Sequence, residues 1–212
     1  MPRVAQALER EAALVDEAAK AVTDAGTKLG YRYFVIGNPD NVEVKTEPGF
    51  ALMGGGGALD KAFRWMCDRA GNGDFVILGA SGVGANTQYV HSLCPSLDSV
   101  ETLLITSREG ANQKFVIDKI RNADALFIEG GSQDDYINYW QGTPVQEAIN
   151  FVISKGSPVG GSSAGLAVLA QYNFSALHDT VTSKQALANP FDEHVTIGKD
   201  FLRIPHLENK IT

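Results

Sequence analysis

Cysteine is scarce: the chain of 212 residues has two, Cys67 and Cys94. Neither belongs to a CxxC pair and no His/Cys cluster has zinc-ligand spacing, so neither a metal nor an organic cofactor is expected. The two thiols read as ordinary buried or surface cysteines, because a disulfide needs Cα atoms within about 7 Å and a sequence does not give that distance. Basic charge is also in deficit, with 18 Lys and Arg against 25 Asp and Glu and a formal net charge of −7. That balance argues against a nucleic-acid surface and is compatible with a neutral or cationic substrate. No stretch approaches the roughly 20 apolar residues of a membrane span, and no charged-then-apolar leader opens the chain. A membrane is therefore not an expected partner, and cytoplasmic is the default placement. Internal repeats and low-complexity linkers are missing too, and the length suits one well-cored α/β domain rather than two.

What is present begins with a helical pattern over residues 3–28, where Val4, Leu8, Ala12, Val15, Ala19 and Val22 recur at spacings of three and four. The expected division is an N-terminal helix over 1–30 and an α/β domain over 31–212. In that domain, apolar runs at Tyr33–Ile36, Phe50–Met53, Phe75–Leu78, Ser99–Thr106, Ala125–Glu129 and Pro158–Gly160 predict strands. Helices are predicted over Leu59–Ala70, Ala111–Asn122, Asp134–Trp140, Pro144–Lys155 and Ala164–Gln171. Strand, glycine turn and helix in repetition predict an α/β fold with a parallel sheet and helices on both faces, and ligands in such sheets bind at the carboxyl ends of the strands. Beyond residue 172 the pattern loosens, leaving Val195–Ile197 and Phe201–Ile204 as strand candidates.

Gly160-Gly161-Ser162-Ser163-Ala164-Gly165 contains G-x-S-x-G centred on Ser163. A strand that turns abruptly into a helix needs small residues two positions either side of the turning residue, and the turn lifts the hydroxyl above the sheet. Backbone N–H groups at the helix start favour a developing oxyanion there. The same glycines also suit a plain helix cap with Ser162 or Ser163 as N-cap; the spacing selects Ser163 over Ser162 as nucleophile.

Glu129-Gly130-Gly131-Ser132-Gln133 follows another strand. Its glycines let backbone N–H groups approach a ligand, so the amides of Gly131 and Ala164 are the candidate oxyanion donors. Gln133 offers a donor and an acceptor to a substrate amide. Gly130, Ser132 and, in the Gly79–Gly84 loop, Ser81 are the expected substrate contacts. Gly54–Gly57 and Gly79–Gly84 also follow strands, yet neither fits G-x-G-x-x-G with its acidic partner and no Walker lysine is present, which disfavours a nucleotide.

Together the stretches Phe50–Gly56 (FALMGGG), Gly73–Gly82 (GDFVILGASG), Glu129–Gln133 (EGGSQ), Trp140–Pro144 (WQGTP) and Pro158–Val168 (PVGGSSAGLAV) resemble the cyanophycinase family of serine peptidases. The resemblance runs from about residue 33 to the end. It implies a class I glutamine amidotransferase-like fold and an exopeptidase acting on β-Asp-Arg units, with Ser163 as nucleophile and Gln133 as the substrate-positioning glutamine. It also implies Gly131 and Ala164 as oxyanion donors, a peptide or small amide substrate, and a homodimer. The sequence departs from the family pattern at Ser162, where a threonine is usual, at Ser132, where an aspartate is usual, and at Gly79, where an arginine is usual.

The family's catalytic histidine lies in a D-x-H-F segment shortly after the stretch matched by Phe201–Thr212, and its triad acid near Thr182-Ser183-Lys184-Gln185, where this chain has no carboxylate. The triad is thus expected to be incomplete within these residues, with the C-terminal part of the fold and its histidine on a second polypeptide. Of the four histidines here, His91, His178, His194 and His206, the last is the candidate substitute base; Asp179, Asp192 and Glu193 are the nearby acids. Two other functions stand beside hydrolysis: a binding or scaffold domain that keeps the pocket without the triad, and a biosynthetic enzyme transferring an acyl group from the same elbow.

Overall fold

The computed structural model describes residues 26–212. The helix expected over 3–28 therefore lies outside the described residues, apart from a helical stretch at 26–28.

The domain is built on a six-stranded sheet of order β1-β4-β3-β5-β6-β2. Its strands are β1 (Tyr31–Gly37), β2 (Phe50–Met53), β3 (Asp74–Gly79), β4 (Ser99–Ile105), β5 (Ala125–Ile128) and β6 (Val159–Ser162). β3 and β4 are buried at every position, as expected of central strands covered on both faces. Alternation then assigns the faces. Val76 and Leu78 join a core with Ile120, Trp140 and Ile149, from helices α3 (Lys114–Asn122), α4 (Gln133–Trp140) and α5 (Pro144–Lys155). Phe75 and Ile77 join Phe63, Met66 and Val90, from α1 (Asp60–Arg69) and α2 (Ala85–Leu93) on the opposite face. α5 begins on Pro144 and ends on Gly156 at φ 88°, with proline pre-set for the first turn and glycine free to take the left-handed cap.

The expected parallel sheet carries one antiparallel strand at its edge, where β1 pairs with β4. The remaining pairs are parallel, so the carboxyl ends of β2, β3, β5 and β6 share one edge. From β3 the chain crosses to β4 on one side, and from β5 to β6 on the other. The β3–β5 boundary is therefore the topological switch point, where a crevice opens.

Beyond β6 the expectations hold less well. The helix predicted over Ala164–Gln171 is a single turn, α6 (Ala164–Ala167). β7 (Tyr172–Phe174) pairs antiparallel with β8 (Ile197–Lys199) in a separate two-stranded sheet. Phe201–Ile204 forms no strand; Phe201, Leu202 and Ile204 pack into the core as an irregular segment. α2 and α7 (Ser183–Ala188) have no counterpart among the predicted helices.

The reading of Cys67 and Cys94 as separate thiols is corrected: they form a disulfide, with Cα atoms 6.4 Å apart and a sequence separation of 27. The bond ties α1 to the C-cap of α2 across one face of the sheet, where Phe63 and Tyr89 also meet edge to face at 5.6 Å. Closing a loop of that length is worth about 3.5 kcal/mol against the unfolded chain. The Cys67→Ala/Cys94→Ala protein is therefore expected to melt about 10 °C lower, by thermal denaturation. Thiol titration of the denatured, unreduced native protein is expected to find both cysteines blocked.

Candidate active site

Ser163 links β6 to α6 at φ 50°, ψ −119°, a combination that an L-residue holds only when its surroundings impose it. What imposes it is visible on every side. The Ser163 amide donates to the carbonyl of Met53 at the end of β2, at 3.1 Å. A Cβ on Gly161 would lie 2.5 Å from the Gly165 carbonyl oxygen. One on Gly165 would run into the Ile128 carbonyl oxygen and lie 2.6 Å from that of Glu129. The two glycines of G-x-S-x-G are thus packing requirements: the turn closes because Gly161, Gly165 and the end of β5 touch through backbone. Ser163 itself is exposed, and its Oγ makes no hydrogen bond among the described residues.

Two glycine turns pack against Ser163, and a third meets one of them. The Cβ position of Gly55 is 3.7 Å from Ser163 Oγ, and that of Gly130 is 3.3 Å from Ser163 Cβ. The Cβ position of Gly131 lies 3.0 Å from the Tyr136 hydroxyl and 3.7 Å from Ser81 Oγ. Ser81, Gly130, Gly131 and Ser163 are therefore brought together, from the ends of β3, β5 and β6. Tyr136 locks the middle turn by donating to the Glu129 carbonyl at 2.7 Å. Gly131 and Ala164 carry the amides at this junction, Ala164 being the first residue of α6. With α6 reduced to one turn, local N–H groups rather than a long helix dipole face any oxyanion. Gln133 opens α4 with a half-buried side chain that makes no hydrogen bond among the described residues. Ser132, the N-cap, donates its hydroxyl to Asp134 instead of capping the helix.

The remaining candidates are not drawn in. His206 is exposed in a left-handed turn at φ 73°, in a segment tied to the chain after α6 by Gln171 N–H donating to Leu207. No hydrogen bond links a histidine to Ser163 among the described residues. His194 pairs instead with Asp192, Nδ1 to Oδ1 at 2.8 Å. That contact raises the imidazole pKa, while the His194 backbone N–H, donating to the same oxygen at 3.0 Å, and then the ring contact lower the carboxyl's. The Thr182–Gln185 stretch, where the acid would fall, is the capping box that starts α7. Among the described residues, no group of three His, Cys, Asp or Glu side chains is placed to hold a metal ion, and no helix is long and apolar enough to cross a membrane.

The residue that pattern reading passed over is Glu129. It ends the apolar run of β5 yet is 9% exposed, and its Oε2 accepts from Asn86 Nδ2 at 2.6 Å. A Cβ on Gly79 would run into Glu129 Oε1 and lie 2.9 Å from its Cδ, so the carboxylate occupies the space above the end of β3. A negative group beneath the Gly79–Gly84 loop opposes phosphate there, which strengthens the case against a nucleotide. Burial pushes the Glu129 pKa up, opposed only by the Asn86 hydrogen bond. The folded protein therefore binds this proton more readily than the unfolded chain, and stability falls as pH rises from the ordinary glutamate range through the raised value. Glu129→Gln is expected to be at least as stable as the parent at neutral pH. Its advantage should vanish below the ordinary carboxylate range, as read from urea denaturation across that interval.

The family model for peptidase family S51 matches residues 51–190. Among solved structures, the chain is similar to a peptidase from an acI-B1 Actinobacterium, at 17% identity and a TM-score of 0.47. That match covers 58% of this chain and 56% of the other, little more than half its length. No curated protein matches.

Proposed function

The chain belongs to peptidase family S51, and from that membership we propose a serine-nucleophile hydrolase of cyanophycinase type that cleaves β-aspartyl peptide or related amide bonds through an acyl-enzyme. The observation that carries the reading is Ser163: an exposed hydroxyl on a strained left-handed turn, with the glycine turns after β2 and β5 packed around it. In the proposed reaction, Ser163 Oγ attacks the amide carbonyl carbon and its proton passes to a base. The N–H groups of Gly131 and Ala164 stabilise the resulting oxyanion. The amine leaves with a proton, and water then releases the acid from the Ser163 ester. Gln133, whose amide makes no hydrogen bond among the described residues, orients the scissile group; Gly130, Ser132 and Ser81 line the approach. The base is a histidine supplied by a second polypeptide, or His206 after movement of its turn.

That no histidine bonds to Ser163 among the described residues favours one alternative, a binding domain that keeps the pocket. A fluorophosphonate probe separates the two readings, because it acylates only an activated serine. Labelling of the native protein on the peptide that carries Ser163 is the expected result; an unlabelled protein would turn the assignment to binding. The Cys67–Cys94 bond supports an oxidising compartment over the default cytoplasmic one, and the thiol titration above tests that as well.

A further inference from the structure

Four carboxylates are buried among the described residues: Asp74, Glu101, Asp124 and Glu129. The first three belong to the amino-terminal side of the sheet and have compensation there. Lys119 pairs with Glu101 at 2.9 Å, and Ser99 donates to Asp74 at 2.6 Å. Asp124 accepts from the Asp74 amide at 3.0 Å and feels the charge of Lys155. Glu129 stands alone at the carboxyl edge, where ligands bind. Its one hydrogen bond is to a neutral amide, that of Asn86; no cation pairs with it; and Oε1 receives no donor among the described residues. The fully buried side-chain atoms without a partner among the described residues are the two amide atoms of Asn173, so Oε1 is open to solvent, and a cation arriving with a ligand gains a charge-assisted contact there.

The position fits. Gly130, the next residue, lies against Ser163, while the Glu129 carboxylate reaches the other way, over Gly79 and under the Gly82 turn, with Oε1 3.6 Å from the Gly82 Cβ position. It thus sits at the β3–β5 switch point. In the order β3-β5-β6, that is two strand spacings from Ser163, about 10 Å. A lysine or arginine side chain on a residue flanking the scissile bond spans such a distance.

We propose that Glu129 is a specificity-determining residue of this site, its free Oε1 receiving the ammonium or guanidinium group of a substrate bound at Ser163. The assignment rests on the hydrolase reading for its substrate but not for its charge. The raised pKa of the carboxyl agrees with it, since a bound cation restores the charged form.

Binding separates this assignment from catalysis. The Ser163→Ala protein is titrated calorimetrically with β-Asp-Arg and with its neutral isostere β-Asp-citrulline, then with β-Asp-Lys and β-Asp-norleucine. Each cationic ligand is expected to bind about ten- to a hundredfold more tightly than its neutral partner, the range of a charge-assisted contact. A larger ratio in the arginine pair identifies a guanidinium site, and one in the lysine pair an ammonium site. In Ser163→Ala/Glu129→Gln, which keeps the shape of the side chain, the ratio should fall to about one; Glu129→Ala makes the same comparison independently. Equal binding of charged and neutral ligands before Glu129 is changed would overturn the assignment, as would a preference that survives both changes. Fluorophosphonate labelling of the parent is scored separately. A protein that is unlabelled yet prefers the cations loses the hydrolase reading and keeps the cation site.

Discussion

Ser163→Ala is expected to lower kcat/KM for a β-aspartyl dipeptide by at least about a thousandfold and to abolish fluorophosphonate labelling, with no loss of thermal stability. The size follows from what the hydroxyl does. It forms the covalent intermediate, and without it only binding and oxyanion contacts remain to accelerate attack by water. Stability is spared because Ser163 Oγ makes no hydrogen bond among the described residues and the side chain is exposed. A second substitution at the same position strengthens the test. Glycine tolerates φ 50° without the strain a Cβ suffers there, so Ser163→Gly should be equally inactive yet more stable by about 1 kcal/mol. A protein that loses activity while gaining stability has a residue held in place for chemistry. Unchanged turnover in Ser163→Ala would move the nucleophile elsewhere, with Ser162 the first position to examine.

Much of this arrangement was legible because it is local. The strand–turn–helix rhythm reports burial, which periodicity measures directly, and β2 and α5 fall on their predicted bounds. The G-x-S-x-G turn was legible because its constraint lies within five residues. What escaped was non-local or unpatterned. The antiparallel β1 is as apolar as a parallel edge strand would be, and only its pairing with β4 reveals direction. α2 carries Asn86, Thr87 and Gln88 in its first turns, which blunts its apolar face. α7 has no buried residue at all, so nothing in its composition repeats with a helical period. The disulfide depends on a distance between two helices. Glu129 appeared only as a letter in a glycine motif; its significance depends on Gly79 and Asn86, roughly forty to fifty residues upstream, and on its having no ion-pair partner among the described residues. A carboxylate closing an otherwise apolar strand was the one signal available.

The second large effect distinguishes glycines that the sequence presents alike. Gly165→Ala is expected to cost at least about 3 kcal/mol and to reduce turnover about a hundredfold, whereas Gly56→Ala should change stability by no more than about 0.5 kcal/mol. A methyl group at Gly56 meets nothing within 4 Å. One at Gly165 meets the carbonyls of Ile128 and Glu129, backbone atoms of a central strand that cannot rotate away. Relief requires α6 to move off the end of β5, and that contact is also what seats Gly130 beside Ser163. The displacement separates nucleophile from oxyanion donors, and misplacement by about 1 Å is enough for a hundredfold loss. The discriminating measurement is therefore a pair of melting curves with matched single-turnover rates. If Gly165→Ala melted with Gly56→Ala and kept its rate, the elbow would not be fixed by this packing, and the strained conformation of Ser163 would need another cause.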